Sequence, residues 1–73
     1  MRMRPLNSSA VDYAGYDKGA RVLRLRYTNG RTYDYFPVPA SVYSALQTAE
    51  SAGEFVNNEV KPRYEYLEVV KAN

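Results

Sequence analysis

The stretch Val22-Leu23-Arg24-Leu25-Arg26-Tyr27-Thr28-Asn29-Gly30-Arg31-Thr32-Tyr33-Asp34-Tyr35-Phe36 decides the fold of this 73-residue chain. From Val22 to Tyr27, Leu23, Leu25 and Tyr27 alternate with Arg24 and Arg26. That period of two puts an apolar row on one side of a β-strand and a cationic row on the other. Asn29-Gly30 reverses the chain, and Thr32 to Phe36 returns as an aromatic-rich strand. A two-residue Asn-Gly loop would set Arg24 opposite Tyr35, whereas a three-residue loop Thr28-Asn29-Gly30, with glycine at the left-handed bulge position, shifts the pairing by one. The longer loop is chemically consistent on both faces. It sets Leu25 beside Tyr33 and Leu23 beside Tyr35 on the core side, and Arg24 meets Asp34 and Val22 meets Phe36 on the other.

Working toward the N-terminus, Val11 and Tyr13 sit at period two, and Asp17-Lys18-Gly19 supplies a turn, so a short strand leads into the hairpin. Residues 1–6, with Arg2 and Arg4, read as a flexible basic arm. Toward the C-terminus, Pro37-Val38-Pro39 stops the sheet, because proline cannot donate to a ladder, and Pro39 can occupy the first position of a helix. Val42, Ala45, Leu46 and Ala49 recur at helical spacing. Ser51 to Glu54 has the form of a capping box, so a second short helix starts there and Pro62 limits it. Tyr64 to Val70 alternates again, as a last strand or as an extended tail across the sheet. The expected class is α+β: a small antiparallel sheet of about three strands, with a fourth C-terminal strand left open, packed with two short helices. Residues 7–70 form one domain and 71–73 a flexible tail.

Composition bounds what such a domain can do. A chain this short buries roughly 60% of the surface its unfolded form exposes, so its core must be efficient. With no cysteine to add disulfides, eight tyrosines supply much of the volume. No apolar run approaches the ~20 residues of a membrane span, and the cysteine-free composition suits a reducing cytoplasm. Cysteine and histidine are both missing, which removes the usual base and the strongest nucleophile along with two common metal ligands. No Walker loop, Ser-x-x-Lys or G-x-S-x-G occurs, and Glu65 and Glu68 fall on opposite faces of an extended segment. The expectation is therefore a non-enzyme without cofactor or metal.

Binding residues are easier to nominate. The net charge is only +2, but the cations gather in Met1 to Arg26 and Lys61 to Lys71, while Glu50, Glu54 and Glu59 are the only charges between Ala40 and Val60. Arg21, Arg24 and Arg26, the arm residues Arg2 and Arg4, and the pair Lys61 and Arg63 flanking Pro62 are the candidate partner-binding set. They suit phosphate or an acidic protein patch, or else a solvated face in which Asp34 neutralises Arg24. Tyr33-Asp34-Tyr35 and Tyr64-Glu65-Tyr66 each place two rings on one side of a strand, where they either stack nucleotide bases or fill the core.

Taken in order, Asn7-Ser8-Ser9, Gly15-Tyr16-Asp17, Leu23-x-Leu25-x-Tyr27-x-Asn29-Gly30, Tyr33-x-Tyr35, Val38-Pro39, Ser51-x-Gly53 and Tyr64-x-Tyr66 resemble the KTSC domain family. This is a short module named after the C-terminus of some lysyl-tRNA synthetases and also found as a free-standing bacterial protein. The resemblance spans Asn7 to Val69; Tyr27 and Val60 stand where the family often has Phe and Ile. It implies RNA binding without catalysis. With its Arg2 and Arg4 arm, the whole chain is also similar to small phage-encoded regulators that bind host bacterial RNA polymerase. That likeness implies inhibition of initiation and suppression of termination in the host cytoplasm, by a monomer held on the large subunits. A domain this small affects both steps only from near the sigma-binding surfaces and the RNA-exit channel.

Overall fold

The computed structural model describes residues 1–70. Among these, five strands form one antiparallel sheet in chain order: β1 (Met3–Pro5), β2 (Val11–Asp17), β3 (Val22–Tyr27), β4 (Thr32–Phe36) and β5 (Glu65–Val69). Between β4 and β5 the chain crosses one face of the sheet as helix α1 (Ala40–Thr48), the short helix α2 (Ala52–Phe55) and a π-helical turn (Val56–Val60). The tail expected at residues 71–73 lies outside the described residues.

The central hairpin has the register that its two faces require. Leu23 pairs with Tyr35, Arg24 with Asp34, Leu25 with Tyr33 and Arg26 with Thr32. The Tyr27 amide donates to the Arg31 carbonyl at 2.8 Å, closing a three-residue loop, and Gly30 holds φ +88°. Glycine meets that left-handed geometry without a Cβ penalty. The segment Tyr64 to Val70 settles as a strand, with Tyr35 opposite Tyr66 and Tyr33 opposite Glu68.

Two N-terminal expectations change. Residues 1–6 are not simply a flexible arm, because Met3, Arg4 and Pro5 pair with Gly15, Ala14 and Tyr13 as an edge strand. Met-Arg-Pro has no alternation to announce a strand, and the contact that admits it is remote in sequence. A Cβ built on Gly15 would lie 2.6 Å from Met3 Sδ and 2.9 Å from the Arg2 carbonyl oxygen. Gly15→Val is therefore expected to push β1 off the sheet at a cost of about 1–3 kcal/mol. Loss of hydrogen-exchange protection at the Leu6 amide, which donates to the Asp12 carbonyl at 2.8 Å, would report it. An unchanged denaturation midpoint would refute it. Second, a β-bulge between Val11 and Tyr13 breaks their shared period. Val11 is fully buried, while Tyr13 points to the opposite face beside Arg26.

The core lies between the sheet and the crossing segment. Leu23, Leu25, Val11, Ala14 and Tyr35 from the sheet meet Val38, Leu46, Ala52, Val56 and Val60. Pro39 caps α1 from just outside it, and Leu46 is the residue of the expected stripe that is fully buried. Ala45 is exposed, and Tyr43 packs instead, stacked on Tyr16 at 5.4 Å. Ser51 caps α2 by accepting from the Glu54 amide at 3.2 Å. The following π-turn bonds the Lys61 amide to the Val56 carbonyl at 2.9 Å, five residues back. Val56 and Val60 are both buried by it, and Lys61 is left facing the sheet.

Candidate functional site

The pleat sorts the nominated residues onto two sides of the sheet. On the helix-free side, one cross-strand row runs Met3, Gly15, Arg24, Asp34, Leu67, and the next runs Pro5, Tyr13, Arg26, Thr32, Val69. Arg24 is committed within this surface: its Nε and Nη2 donate to Asp34 Oδ1 and Oδ2 at 2.7 and 2.9 Å. That fork raises the guanidinium pKa, the hydrogen bond outweighing desolvation. Arg26 is exposed between Tyr13 and Thr32, and the Arg2 backbone carbonyl passes over Gly15. Met3, Tyr13, Arg26, Thr32 and Val69 line a shallow groove of about 520 Å³. Tyr13 is 38% exposed and Leu67, at the open β5 edge, 65%.

The other cations stand elsewhere, so the nominated set is not one stripe. Arg4 alternates to the helix side, beside Tyr43 and Gln47. Arg21 occupies the turn after β2 with φ +57°, and its carbonyl accepts from the Val38 amide at 2.9 Å. Arg63 faces Glu59 at 3.4 Å, a solvent-exposed pair worth at most about 1 kcal/mol.

On the helix side, beyond the core's edge, four tyrosines converge. Tyr27 comes from β3, Tyr33 and Tyr35 from β4, and Tyr66 from β5. Neighbouring ring centroids are 5.8 Å apart for Tyr27–Tyr33 and Tyr33–Tyr66, 6.0 Å for Tyr35–Tyr66 and 6.5 Å for Tyr33–Tyr35. The hydroxyls of Tyr27 and Tyr35 share a 2.7 Å hydrogen bond. Burial pushes both phenols above their ordinary pKa, and for Tyr27 the bond to Tyr35 adds to it. Lys61 Nζ stands 5.3 Å over the Tyr27 ring, an attractive cation–π arrangement. These side chains, with Asn29, Thr28, Ser9 and Ala10, line a cleft of about 620 Å³.

Tyr35 is 3% exposed and belongs to the core, Tyr33 is half-buried, and Tyr66 is 60% exposed. The alternatives of core and accessible ring thus divide between neighbours. Arg31, not nominated from the sequence, lies near the Tyr33 hydroxyl and Glu68; both raise its pKa, Tyr33 most. Its position directly after Gly30, at the start of the strand bearing Tyr33, was the available signal.

Residues 7–64 match the KTSC domain family. A protein of Tsukamurella paurometabola is 52% identical over 62 residues, covering 85% of this chain and 92% of that one. A lysine–tRNA ligase of Nostoc punctiforme is 29% identical over 58 residues, 80% of this chain but only 10% of the ligase. The crystal structure of a KTSC domain protein from Yersinia pestis superposes with a TM-score of 0.91 at 26% identity, covering 94% of this chain and 97% of that one. The resemblance to a phage-encoded regulator finds no support among these relatives. Matched over most of its length in sequence and in fold, the chain belongs to the KTSC domain family.

Proposed function

We propose that this chain is a non-catalytic, phage-encoded regulator that docks on host bacterial RNA polymerase, inhibiting initiation and suppressing termination. The observation that carries the docking surface is the helix-free side of the sheet. There an uncommitted Arg26, the exposed Tyr13 ring and the apolar Leu67 and Val69 lie together beside the open β5 edge. Tyrosine and arginine are the residues that most often carry interface energy, and a free edge accepts an extended segment as an added strand. The partner surface proposed is an acidic one near the polymerase's sigma-binding region and RNA-exit channel, which would meet Arg26.

The test is co-purification of the tagged chain with core RNA polymerase after nuclease treatment. Arg26→Glu combined with Tyr13→Ala is expected to weaken the complex by about 2 kcal/mol or more, roughly thirty-fold. A wild-type chain that leaves the enzyme behind, or a double variant that binds as tightly, overturns the reading.

A second reading, an RNA-binding module, is favoured by the tyrosine cleft with its lysine. It also agrees with the match to a segment of ligases whose name gives tRNA as their substrate. The two readings place the partner on opposite sides of the sheet. Which side's substitutions lose which partner therefore decides between them.

A further inference from the structure

Resting on the RNA-binding reading, we infer that the cleft between β4–β5 and the π-turn is a single-nucleotide site. It takes one unpaired base on the face of Tyr66 and the attached phosphate on the Lys61 ammonium. The ligand chemistry is a planar base carrying an anion, whether free as a mononucleotide or as one residue of single-stranded RNA.

The arrangement selects this chemistry by exclusion. Four rings around one opening would also suit a quaternary or methylated ammonium, the usual guest of an aromatic cage. Here that position is taken by the chain's own Lys61, 5.3 Å over Tyr27. A second cation would meet a like charge, whereas an anion is attracted. A purely apolar guest would strip water from the ammonium without offering it a polar partner. The opening of about 620 Å³ lies within the ordinary range for a small-ligand site. The free ring belongs to Tyr66, braced edge-on by Tyr33 at 5.8 Å, so its orientation is set before a base arrives. Glu68, opposite Tyr33, is the carboxylate on this side of β5, and Arg31 offsets it. With a base on Tyr66, Lys61 swings from the Tyr27 ring to the attached phosphate, so the lysine holds the site in the free protein and grips the ligand in the bound one.

The experiment titrates the full chain with fluorescently labelled single-stranded decamers of uridine and of adenosine, and separately with UMP and AMP followed by NMR. Tyr66→Ala and Lys61→Glu, each checked for folding by circular dichroism, are expected to weaken binding about ten-fold. Lys18→Ala, which removes a cation from a distant turn, controls for net charge. The Lys61 side-chain resonances should move away from the ring-current position set by Tyr27 as ligand is added. Binding of decamers but not mononucleotides identifies the source as RNA, and the converse identifies a free nucleotide. Decamer binding that survives both cleft substitutions overturns the cleft assignment and leaves the RNA reading standing. A wild-type chain that binds none of the four probes overturns both.

Discussion

Replacing Tyr35 by alanine is expected to unfold the domain or bring it to the edge of unfolding, whereas Tyr66→Ala should leave it folded. The two rings face each other across β4 and β5, yet one is 3% exposed and the other 60%. Truncating a buried aromatic residue costs about 3–5 kcal/mol in transfer and cavity terms. A domain of this size holds roughly 4–11 kcal/mol in total. The loss also strands the Tyr27 hydroxyl, which bonds Tyr35 at 2.7 Å, inside a part-buried site. Thermal unfolding followed by circular dichroism should show a fall of at least about 12 °C for Tyr35→Ala. Tyr35→Phe, which keeps the ring and loses one hydrogen bond, should cost only about 1 kcal/mol. A Tyr35→Ala protein melting within a few degrees of wild type would show that the ring is not part of the core.

The hairpin from Val22 to Phe36 was legible in the sequence because two independent signals agreed on it. Turn chemistry required glycine at a left-handed position, and side-chain chemistry required Arg24 to meet Asp34 and not Tyr35; one loop length satisfies both. The missed elements depend on contacts remote in sequence. β1 exists because Gly15 leaves room for the chain of residues 1–3, and nothing in Met-Arg-Pro advertises that. The bulge at Val11 to Tyr13 and the π-turn at Val56–Val60 are each a one-residue departure from a regular period. Both departures deliver an additional buried valine to the core. Periodicity averages over such departures.

For the same reason the candidate site was only half visible. Tyr33 and Tyr35 stood out as a pair, but with the type of the last segment left open, Tyr66 had no partner strand and the four-ring convergence could not be assembled. Had both Tyr-x-Tyr segments been taken as neighbouring strands, the pleat would have gathered their rings on one face, with the register still to be found. The cations misled in the opposite direction. Read along the chain they look like one basic surface, whereas alternation sends Arg4 and Arg26 to opposite sides of the sheet and Asp34 occupies Arg24.

The tyrosine cluster also predicts how the domain fails. Raising the pH above 10 is expected to destabilise it. A phenol ordinarily titrates at 10.0, but Tyr27 and Tyr35 hold their protons to higher pH in the folded chain, chiefly because burial disfavours the phenolate. Below pH 10 both phenols are protonated whether the chain is folded or not, and their contribution is fully present. Above it the unfolded chain releases protons that the folded chain keeps, so the balance moves toward unfolding as pH rises. Each retained proton removes about 1.4 kcal/mol per pH unit. Both phenols act in the same direction, on a domain with little stability to lose. Far-ultraviolet circular dichroism and phenolate absorbance should therefore change together, the last protons leaving as the sheet is lost. Tyr27→Phe separates this effect from general alkaline repulsion. It should cost about 1 kcal/mol at neutral pH through the lost hydroxyl bond, and above pH 10 it should make the decline shallower, since the proton that Tyr27 keeps on folding is no longer there to keep. A decline equally steep in wild type and Tyr27→Phe would mean that the hydroxyl pair is not what ties folding to protonation, and a sheet intact at pH 12 would mean that neither phenol is.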